Sequence, residues 1–258
     1  MRAVPSQPVV AHLEIALALV ANARRACVLT GAGISTQSGI PDFRGPNGLW
    51  TRDPGARRLS TLAHYLSSRE VRVAAWRGRL ERPVWNAQPN SGHLALVELE
   101  RLGRLSRLVT QNVDGLHLGA GTSPERLVEL HGSLREYICL SCGRGGPMAE
   151  VLERVRCGEA DPPCLACGGI LKSAAISFGQ RLRAQDLENA ERAARGCDLF
   201  VAVGTRLEVY PAAELPALAL NSGASLLILN AEETSYDRRA ACVLRGPIGE
   251  VLPALVAA

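Results

Sequence analysis

The stretch "GAGISTQSGIPDFRG", residues 31–45, decides the fold of this 258-residue chain. It follows an apolar run at 26–29, which is typical of a buried strand, and it opens with two glycines, as phosphate-cradling loops do. The dinucleotide fingerprint requires a third glycine where this chain has Thr36. The acidic residue expected about 20 positions later is also missing, because Asp53 lies in a stretch rich in Pro and Gly. We therefore expect a nucleotide-binding loop that does more than hold phosphates.

Short apolar runs ending in small or polar residues recur along the chain, and helical patterns separate them. An apolar face at helical spacing also precedes the first run, carried by Val10, Leu13, Leu17, Val20 and Ala21. Strands that alternate with helices predict an α/β fold with a parallel, doubly wound sheet. The expected strands lie at 26–31, 107–112, 126–132, 198–205, 225–230 and 242–246, and further helices at 91–103 and 186–196.

Polar residues and glycines cluster where these strands end. In a doubly wound sheet, ligands bind outside the carboxyl ends of the strands, so these residues should line one crevice. They are Gly31 and Gly33, Gln111 and Asn112, His131 and Gly132, Gly204 and Thr205, and Asn230.

Two segments interrupt the alternation and predict a small module beside a large unit. The first has a start rich in Pro and Gly and then a helical pattern, and the second is rich in Cys, Gly and Pro. We expect the large unit at 1–45, 88–133 and 171–258, a helical insertion at 46–87 and a metal-binding insertion at 134–170.

Composition narrows the class of protein. Hydrophobic residues make up 47% of the chain, which predicts a packed core, and the net charge of +4 is too weak and dispersed to indicate nucleic-acid binding. The longest uncharged run, 215–231, contains Pro216, Asn221 and Gly223, so we expect no membrane span. Eight cysteines without a convincing export signal favour a cytoplasmic protein with metal-bound or buried thiols.

Two Cys-x-x-Cys pairs indicate a structural zinc site. Each pair can close a tight knuckle on one side of a tetrahedral ion, and four thiolates leave no open position for a substrate. A pair of redox dithiols is the alternative, although nothing around them resembles thioredoxin. Cys157 lies between the pairs without a partner, and Cys27, Cys197 and Cys242 lie in or beside strands and are expected in the core. The predicted ligands are Cys139, Cys142, Cys164 and Cys167.

Two of the five histidines are candidates for a general base. His131 ends a predicted strand in the crevice, and His117 follows the Gln111–Asn112 strand end. His12, His64 and His93 have positions typical of structural histidines.

The motifs together resemble one family, the sirtuins, which are NAD-dependent protein deacylases. "GAGIS…SGIPDFRG", "QNVDGLH", "HG", the two Cys-x-x-Cys pairs, "FG", "GT" and "LN" occur in the sirtuin order between about residue 12 and residue 254. The resemblance is strongest to bacterial sirtuins. It implies a Rossmann-type domain with a small zinc-ribbon and helical module, and an active site between them. It also explains the opening stretch, because sirtuins break the nicotinamide–ribose bond of NAD, and there "IPDFRG" is a mobile flap over that end.

The resemblance also implies the residues that hold NAD, one structural zinc, and an acylated lysine of a protein or peptide as substrate. His131 would be the general base on the ribose hydroxyls, with Asn112 beside it, while Phe43 screens the reacting carbon from water. The implied NAD contacts are Gly31, Ala32, Gly33, Ile34, Ser35, Ile40, Asp42, Phe43, Arg44, Gln111, Asn112, Val113, Asp114, His131, Gly204, Thr205, Arg206, Asn230, Ala231, Glu232 and Cys242. The implied substrate contacts are Trp76, Arg79, Phe178, Gly179, Leu207 and Val209.

The chain departs from the sirtuin pattern in ways that affect substrate choice. Lys172-Ser173 stands where Arg-Pro is usual, Gln180 replaces a glutamate after "FG", and Arg206 replaces a serine after "GT". Sirtuins that remove succinyl or malonyl groups carry a Tyr-x-x-Arg pair, for which this chain has Trp76 and Arg79. Because Trp76 lacks a hydroxyl, we expect Trp76 to be core, Arg79 to be a solvated charge, and acetyl or another neutral acyl group to be preferred.

Other functions remain open at this level. A desuccinylase or demalonylase, a longer-chain deacylase, a mono-ADP-ribosyltransferase and an NAD hydrolase would use the same pocket. A non-enzymatic binding module is disfavoured by the intact Asn112, Asp114 and His131. We expect a monomer.

Overall fold

A six-stranded, all-parallel sheet forms the centre of the computed structural model, which describes residues 7–43, 45, 48–53 and 55–257, without the side chains of 7–11, 56 and 57. Its strand order, β3-β2-β1-β7-β8-β9, places the first strand in the middle and confirms the doubly wound prediction. The strands of the chain are β1 Ala26–Thr30, β2 Leu105–Thr110, β3 Leu127–Glu129, β4 Glu136–Cys139, β5 Gly145–Pro147, β6 Leu171–Ser173, β7 Leu199–Val203, β8 Ser225–Leu229 and β9 Cys242–Leu244.

Helices cover both faces of this sheet because alternate strand residues are apolar in both directions. On β1, Val28 packs into one core and Leu29 into the other. The α-helices are α1 Gln7–Asn22, α2 Leu49–Arg52, α3 Ala56–Leu59, α4 Leu62–Ser67, α5 Arg69–Leu80, α6 Ser91–Arg101, α7 Leu116–Ala120, α8 Met148–Arg156, α9 Ala184–Gly196, α10 Leu215–Asn221 and α11 Ile248–Val256. No helix in the described ranges is both long enough and apolar enough to span a membrane.

The buried face of α1 differs from the one expected. Ala16 and Val20 are buried, whereas Leu13 and Ala21 are exposed. The helix packs against α11 and β9, and Ala16 and Val20 lie on the side that faces these elements, whereas Leu13 does not. The side chain of Val10 lies outside the described residues.

A second, three-stranded sheet with order β5-β4-β6 belongs to the small module, together with α2–α5 and α8. Its core includes Trp76, Met148 and Leu152. The expected boundary at residue 171 is wrong for β6, since β6 pairs antiparallel with β4 rather than with the large sheet. Backbone pairing holds the chain in the small module for one strand beyond the last cysteine before it returns.

The glycine loop after β1 touches the end of β7. Gly31 N–H donates to the Val203 carbonyl at 3.0 Å, and Gly33 N–H donates to the Gly204 carbonyl at 2.9 Å. A Cβ atom on Gly31 or on Gly33 would lie 2.7 Å from backbone atoms of Gly204, which is too close for any side chain. Both glycines are therefore required by the packing of two loops at the carboxyl edge of the sheet.

We expect Gly33→Ala to destabilise the fold by about 1–3 kcal/mol, the cost of forcing a methyl group against packed atoms. Thermal unfolding measures the effect. Gly196→Ala is the matched control, since a Cβ there meets no atom within 4 Å and the residue closes α9. Equal melting temperatures for the two variants would show that the loops have room to separate.

Candidate active site

A cavity of about 930 Å³ lies at the carboxyl edge of the large sheet, and its lining also includes residues of the small module. All five of the predicted strand ends contribute to it, from Gly31 after β1 to Asn230 after β8. Most of the predicted contacts line the cavity: Gly31, Ala32, Gly33, Asp42, Phe43, Gln111, Asn112, Val113, His131, Phe178, Gly179, Gly204, Thr205, Arg206, Leu207, Val209, Asn230, Ala231 and Glu232.

Several predicted contacts do not line the cavity. Cys242 is 3% exposed on β9, where its thiol donates to the carbonyl oxygen of His12, so it is a core residue and not a cofactor contact. Arg44 lies outside the described residues. Four others are also absent from the lining: Ile34, Ser35 and Asp114, which are buried, and Ile40, which is partly exposed.

A buried hydrogen-bond network holds Asn112 at the cavity wall. Its amide nitrogen donates to the carbonyl oxygen of Gly31 and to Ser35 Oγ, both at 3.1 Å. Ser35 Oγ donates in turn to the Asp114 carboxylate at 2.7 Å, and Leu116 N–H donates to the same carboxylate. Because the amide hydrogens are committed, Asn112 Oδ1 is the atom left to accept a hydrogen bond from a ligand. Ser35 and Asp114 thus act by positioning Asn112.

His131 lies half-buried on the cavity wall, two residues after β3. Its Nδ1 is 3.0 Å from the backbone carbonyl oxygen of Gln111. A carbonyl oxygen can only accept, so Nδ1 carries the proton and the lone pair of Nε2 is free. Burial lowers the pKa of the imidazole, although the Gln111 hydrogen bond opposes this. His131 therefore offers a neutral basic nitrogen near pH 7.

The other candidate base, His117, is not in the cavity. It is 2% exposed, and its Nε2 lies 2.9 Å from Thr30 Oγ1 beneath the strand ends. Burial lowers the pKa of His117 to about 3 and the pKa of the adjacent His93 to about 4. His93 also completes a capping box with Asn90 at the start of α6. Both have the surroundings of structural histidines, and of the two candidate bases only His131 lines the cavity.

Aromatic rings cover the part of the cavity formed by the 31–45 stretch. The centroid of the Phe43 ring is 4.8 Å from that of Trp50, which is 5.2 Å from that of Phe178. The backbone N–H of Trp50 donates to the Phe43 carbonyl at 3.0 Å. Sequence reasoning missed Trp50, whose only signal was a large aromatic residue seven positions after the predicted flap residue Phe43.

Ion pairs and hydrogen bonds link the loops after β2, β7 and β8. Gln111 Nε2 donates to Thr205 Oγ1 at 2.8 Å. Arg206 pairs with Glu232 at 2.8 Å and with Glu208 at 3.1 Å. The Arg206 guanidinium thus bridges the loops after β7 and β8. The shorter serine that sirtuins usually have at this position could not span them.

Trp76 occupies the core position that the sequence predicts, whereas Arg79 does not occupy the solvated position expected of it. Trp76 is fully buried in the small-module core and does not line the cavity, so its expected packing role is confirmed and its substrate role is wrong. Arg79 does line the cavity, and only 8% of it is exposed, so the expectation of a solvated charge is wrong. Helix α5 turns the arginine inward while tryptophan packs behind it.

Other lining residues were missed because no local pattern marks them. Arg82 and Ser173 come from the small module, and Arg245 and Ile248 come from the segment after β9. Their participation depends on how the two modules meet, which is a property of tertiary packing.

The four predicted cysteines meet at one point, and among the described residues they form the only cluster suited to a metal. Sγ–Sγ separations are 3.5 Å for Cys139 and Cys167 and 3.8 Å for Cys142 and Cys164. Tetrahedral zinc with Zn–S bonds of about 2.3 Å requires separations of about 3.8 Å. The donor set therefore fits one zinc ion.

Comparison with known proteins identifies the family. A family model described as the Sir2 family matches residues 31–211. The chain belongs to the Sir2 family. Over 229 residues it is 51% identical to NAD-dependent protein deacetylase 2 of Streptomyces coelicolor, an alignment that covers 89% of this chain and 95% of that protein.

Solved Sir2 structures superpose on this Sir2-family chain over nearly its full length. One, a histidine-to-alanine Sir2 variant with a deacetylated p53 peptide and 3′-O-acetyl ADP ribose, has a TM-score of 0.87 at 32% identity, covering 95% of this chain and 97% of that one. Another, Sir2 with p53 peptide and NAD+, has a TM-score of 0.83 at 32% identity, covering 93% and 95%.

The cysteine cluster predicts about one equivalent of zinc per chain, held for stability rather than for chemistry. Elemental analysis should detect it, and removal by a strong chelator should lower the melting temperature. Cys157→Ser is the control, because this exposed cysteine is outside the cluster and its loss should leave the zinc content unchanged. Protein that lacks metal yet melts normally would contradict the assignment.

The buried imidazoles predict an ordering of histidine titrations. His131 should titrate with a midpoint below the usual value of about 6.5, since burial disfavours its charged form. His117 should remain neutral down to a pH of about 3. Ring NMR signals, assigned with His131→Ala, measure both. A His131 midpoint above 6.5 would mean that an anion reaches the ring.

Proposed function

We propose that this chain is an NAD-dependent protein-lysine deacylase that accepts acetyl-lysine. The reaction converts an acyl-lysine, NAD and water into free lysine, nicotinamide and O-acyl-ADP-ribose. The observation that carries the proposal is the single cavity in which His131, Asn112 and the glycine loops converge. It is supported by membership of a family whose named relatives include deacetylases.

The pyrophosphate of NAD would lie against the glycine loop, where no side chain can stand between backbone and ligand. Gly31 and Gly33 leave that space, and Thr205 offers a hydroxyl beside them. The adenosine would extend toward Asn230 and Glu232 at the end of β8. Glu232 would replace the acidic residue that the sequence lacks near position 53, because its carboxylate can accept hydrogen bonds from ribose hydroxyls.

The nicotinamide ribose would lie between Asn112, His131 and the aromatic cover. Asn112 Oδ1 accepts from a ribose hydroxyl, which orients the sugar, and Phe43 excludes water from the carbon that loses nicotinamide. The lysine acyl oxygen then attacks this carbon. Exclusion of water matters because it would otherwise capture the developing oxocarbenium ion.

His131 would act after nicotinamide has left. Its Nε2 removes a proton from the ribose hydroxyls, so that the 2′-oxygen attacks the carbon of the acyl group. The Nδ1–H bond to the Gln111 carbonyl fixes the ring and favours the tautomer with a basic Nε2. Water then completes release of the free lysine.

The acylated peptide would enter between the segments that follow β6 and β7. Phe178 and Gly179 lie on one side, and Leu207 and Val209 on the other. Backbone hydrogen bonds of an added strand tolerate side-chain changes, so Gln180 and Arg206 should alter peptide preference more than chemistry.

The setting of this activity is part of the same proposal. We infer that the protein acts on other proteins in the cytoplasm, since all eight cysteines are free thiols. We also infer that it binds no nucleic acid, because the net charge of +4 is low, and that it acts as a monomer. The NAD-binding unit comprises 1–45, 88–133 and 174–258, after the correction for β6.

Mass spectrometry of the purified protein with NAD and acyl-lysine peptides tests the reaction. Nicotinamide, free lysine and O-acyl-ADP-ribose should appear in equal amounts, and only when an acyl-lysine is present. Nicotinamide released without peptide would indicate an NAD hydrolase, and a gain in peptide mass would indicate an ADP-ribosyltransferase.

We expect His131→Ala to lower kcat/KM by at least about 100-fold, the lower end of a general-base contribution. The zinc content and melting temperature should stay near those of the parent. His64→Ala is the matched control, since His64 is exposed and does not line the cavity. Near-normal turnover by His131→Ala would rule out its role as the base.

A further inference from the structure

The charged side chains that line the cavity after β7, β8 and β9, together with one ion-pair partner, carry a surplus of negative charge. Arg245 lines the cavity and pairs with Asp237. Arg206 lines the cavity and is shared by two carboxylates that also line it, those of Glu208 and Glu232. Two guanidinium groups thus face three carboxylates. A ligand that brings one positive charge would balance this side of the cavity.

Glu208 is the carboxylate of this group with the most unused capacity. Its Oε1 accepts from Arg206 Nε at 3.1 Å, and Oε2 has no hydrogen bond within the described part of the chain. Its side chain is 48% exposed. Glu232 accepts from the same arginine at 2.8 Å and is the residue that the proposed function assigns to the adenosine ribose. Glu208 therefore remains able to bind a second cation.

The backbone at Leu207 turns the flanking charged residues out of the core. Leu207 has a φ of 56°, and no other described residue apart from the glycines has a positive φ. Its side chain is buried in the core, and its N–H donates to Thr205 Oγ1 at 3.3 Å. Left-handed backbone is uncommon for leucine, and such outliers cluster where the shape of a loop serves a ligand. Arg206 and Glu208 lie on either side of this turn and are both exposed to the cavity.

An exposed aromatic ring follows Glu208 by two residues. Tyr210 lines the cavity and is 69% exposed, more than any other aromatic side chain in the described ranges. The face of an aromatic ring attracts cations, and guanidinium groups most often. Glu208 and Tyr210 thus offer an ion pair and a stacking surface at one place, which are the two features that recognise a basic side chain.

These two residues belong to the segment on which the acylated peptide would add as a strand. They alternate with Leu207 and Val209, which the proposed function assigns to the peptide. A strand that pairs with this segment places its side chains beside those of Glu208 and Tyr210. The acylated lysine itself is neutral, because acylation removes its charge. A cation at this place would therefore come from a residue that flanks the acyl-lysine.

We propose that Glu208 and Tyr210 are specificity-determining residues, which select acyl-lysine substrates with a basic side chain, above all arginine, within two residues of the acyl-lysine. The inference rests on the proposed deacylase function and narrows its substrates. Glu208 accepts hydrogen bonds from the guanidinium, and the ring of Tyr210 stacks on it. Arginine is favoured over lysine because its planar group binds a carboxylate through two donors and stacks on aromatic rings.

Arg206 has the opposite effect, since it competes with the incoming cation for Glu208. An acidic flanking residue that pairs with Arg206 is the alternative. The geometry disfavours it, because Arg206 already contacts two carboxylates, at 2.8 and 3.1 Å. A third carboxylate would add to the surplus of negative charge.

Matched peptides test the selection directly. Each carries acetyl-lysine and has arginine, citrulline or glutamate at one of the two positions on either side; citrulline has the shape of arginine without its charge. Fluorescence anisotropy with ADP-ribose present should give a Kd about three- to tenfold lower for arginine than for citrulline at one or more positions. This is the range expected of a partly exposed ion pair combined with a cation–π contact. High salt should reduce the difference, since it screens exposed charges.

Variants should change this difference in opposite directions, which a merely structural role would not do. Glu208→Gln should reduce it to less than about twofold. Tyr210→Leu should reduce it in part, whereas Tyr210→Phe should retain it, because the ring and not the hydroxyl binds the cation. Arg206→Ser should increase it by releasing Glu208, and the ratio of two Kd values cancels any effect on ADP-ribose. Glu214→Gln is the control, since this exposed acid of the same loop does not line the cavity.

Equal affinities of the parent protein for the arginine and citrulline peptides at every position would overturn the proposal, and this comparison requires no variant to fold. A preference that survives Glu208→Gln would also overturn it, as would tightest binding of the glutamate peptide, which would assign the selection to Arg206. Turnover with NAD separates this proposal from the proposed function. Deacetylation without a preference for arginine leaves the deacylase and removes the selection, whereas arginine-dependent binding without nicotinamide release does the reverse.

Discussion

The contact between the loops after β1 and β7 is the constraint on which the cavity depends. Gly31 and Gly33 lie so close to Gly204 that no Cβ fits between them, and two backbone hydrogen bonds join the loops. This contact brings backbone, rather than side chains, to the surface where a pyrophosphate would lie. It also fixes where the 31–45 stretch starts, and therefore where Asp42 and Phe43 meet the cavity.

From this contact the polar network spreads across the strand ends. Asn112 reaches back to the Gly31 carbonyl and to Ser35, and Gln111 reaches across to Thr205. Gln111 also accepts the Nδ1–H of His131 through its backbone. Loops after β1, β2, β3 and β7 are thus linked by hydrogen bonds, which pre-organises the groups proposed to orient a ribose and to remove its proton.

The small module contributes three buried positive side chains near the cavity. Arg79, Arg82 and Lys172 are all substantially buried, and each carries a depressed pKa. Burial of such a cluster disfavours the charged forms of all three groups. Its members come from α5, the loop after it and β6, so no short motif records it.

The sequence by itself determined the parallel sheet, the cavity at its carboxyl edge, the zinc cluster and the family. Periodicity and strand-end chemistry are local, so the predicted bounds of β1, β2 and β7 through β9 lie within two residues of the observed ones. Position along the chain also favoured His131 over His117 without deciding between them. Only the tertiary structure distinguished their surroundings, because it buries His117 beneath the strand ends and bonds His131 through Nδ1 at the cavity wall.

The tertiary structure also decided which side of α5 faces the cavity. Helical spacing alone leaves the rotation of the helix undetermined, because Trp76 and Arg79 are neighbours on its surface in either case. Packing of Trp76 against Met148 and Leu152 sets that rotation, and it buries Arg79 at the cavity wall beside Ser173. Burial, and the lack of a counter-charge among the described residues, are properties of side chains brought together from distant segments, which local patterns do not encode.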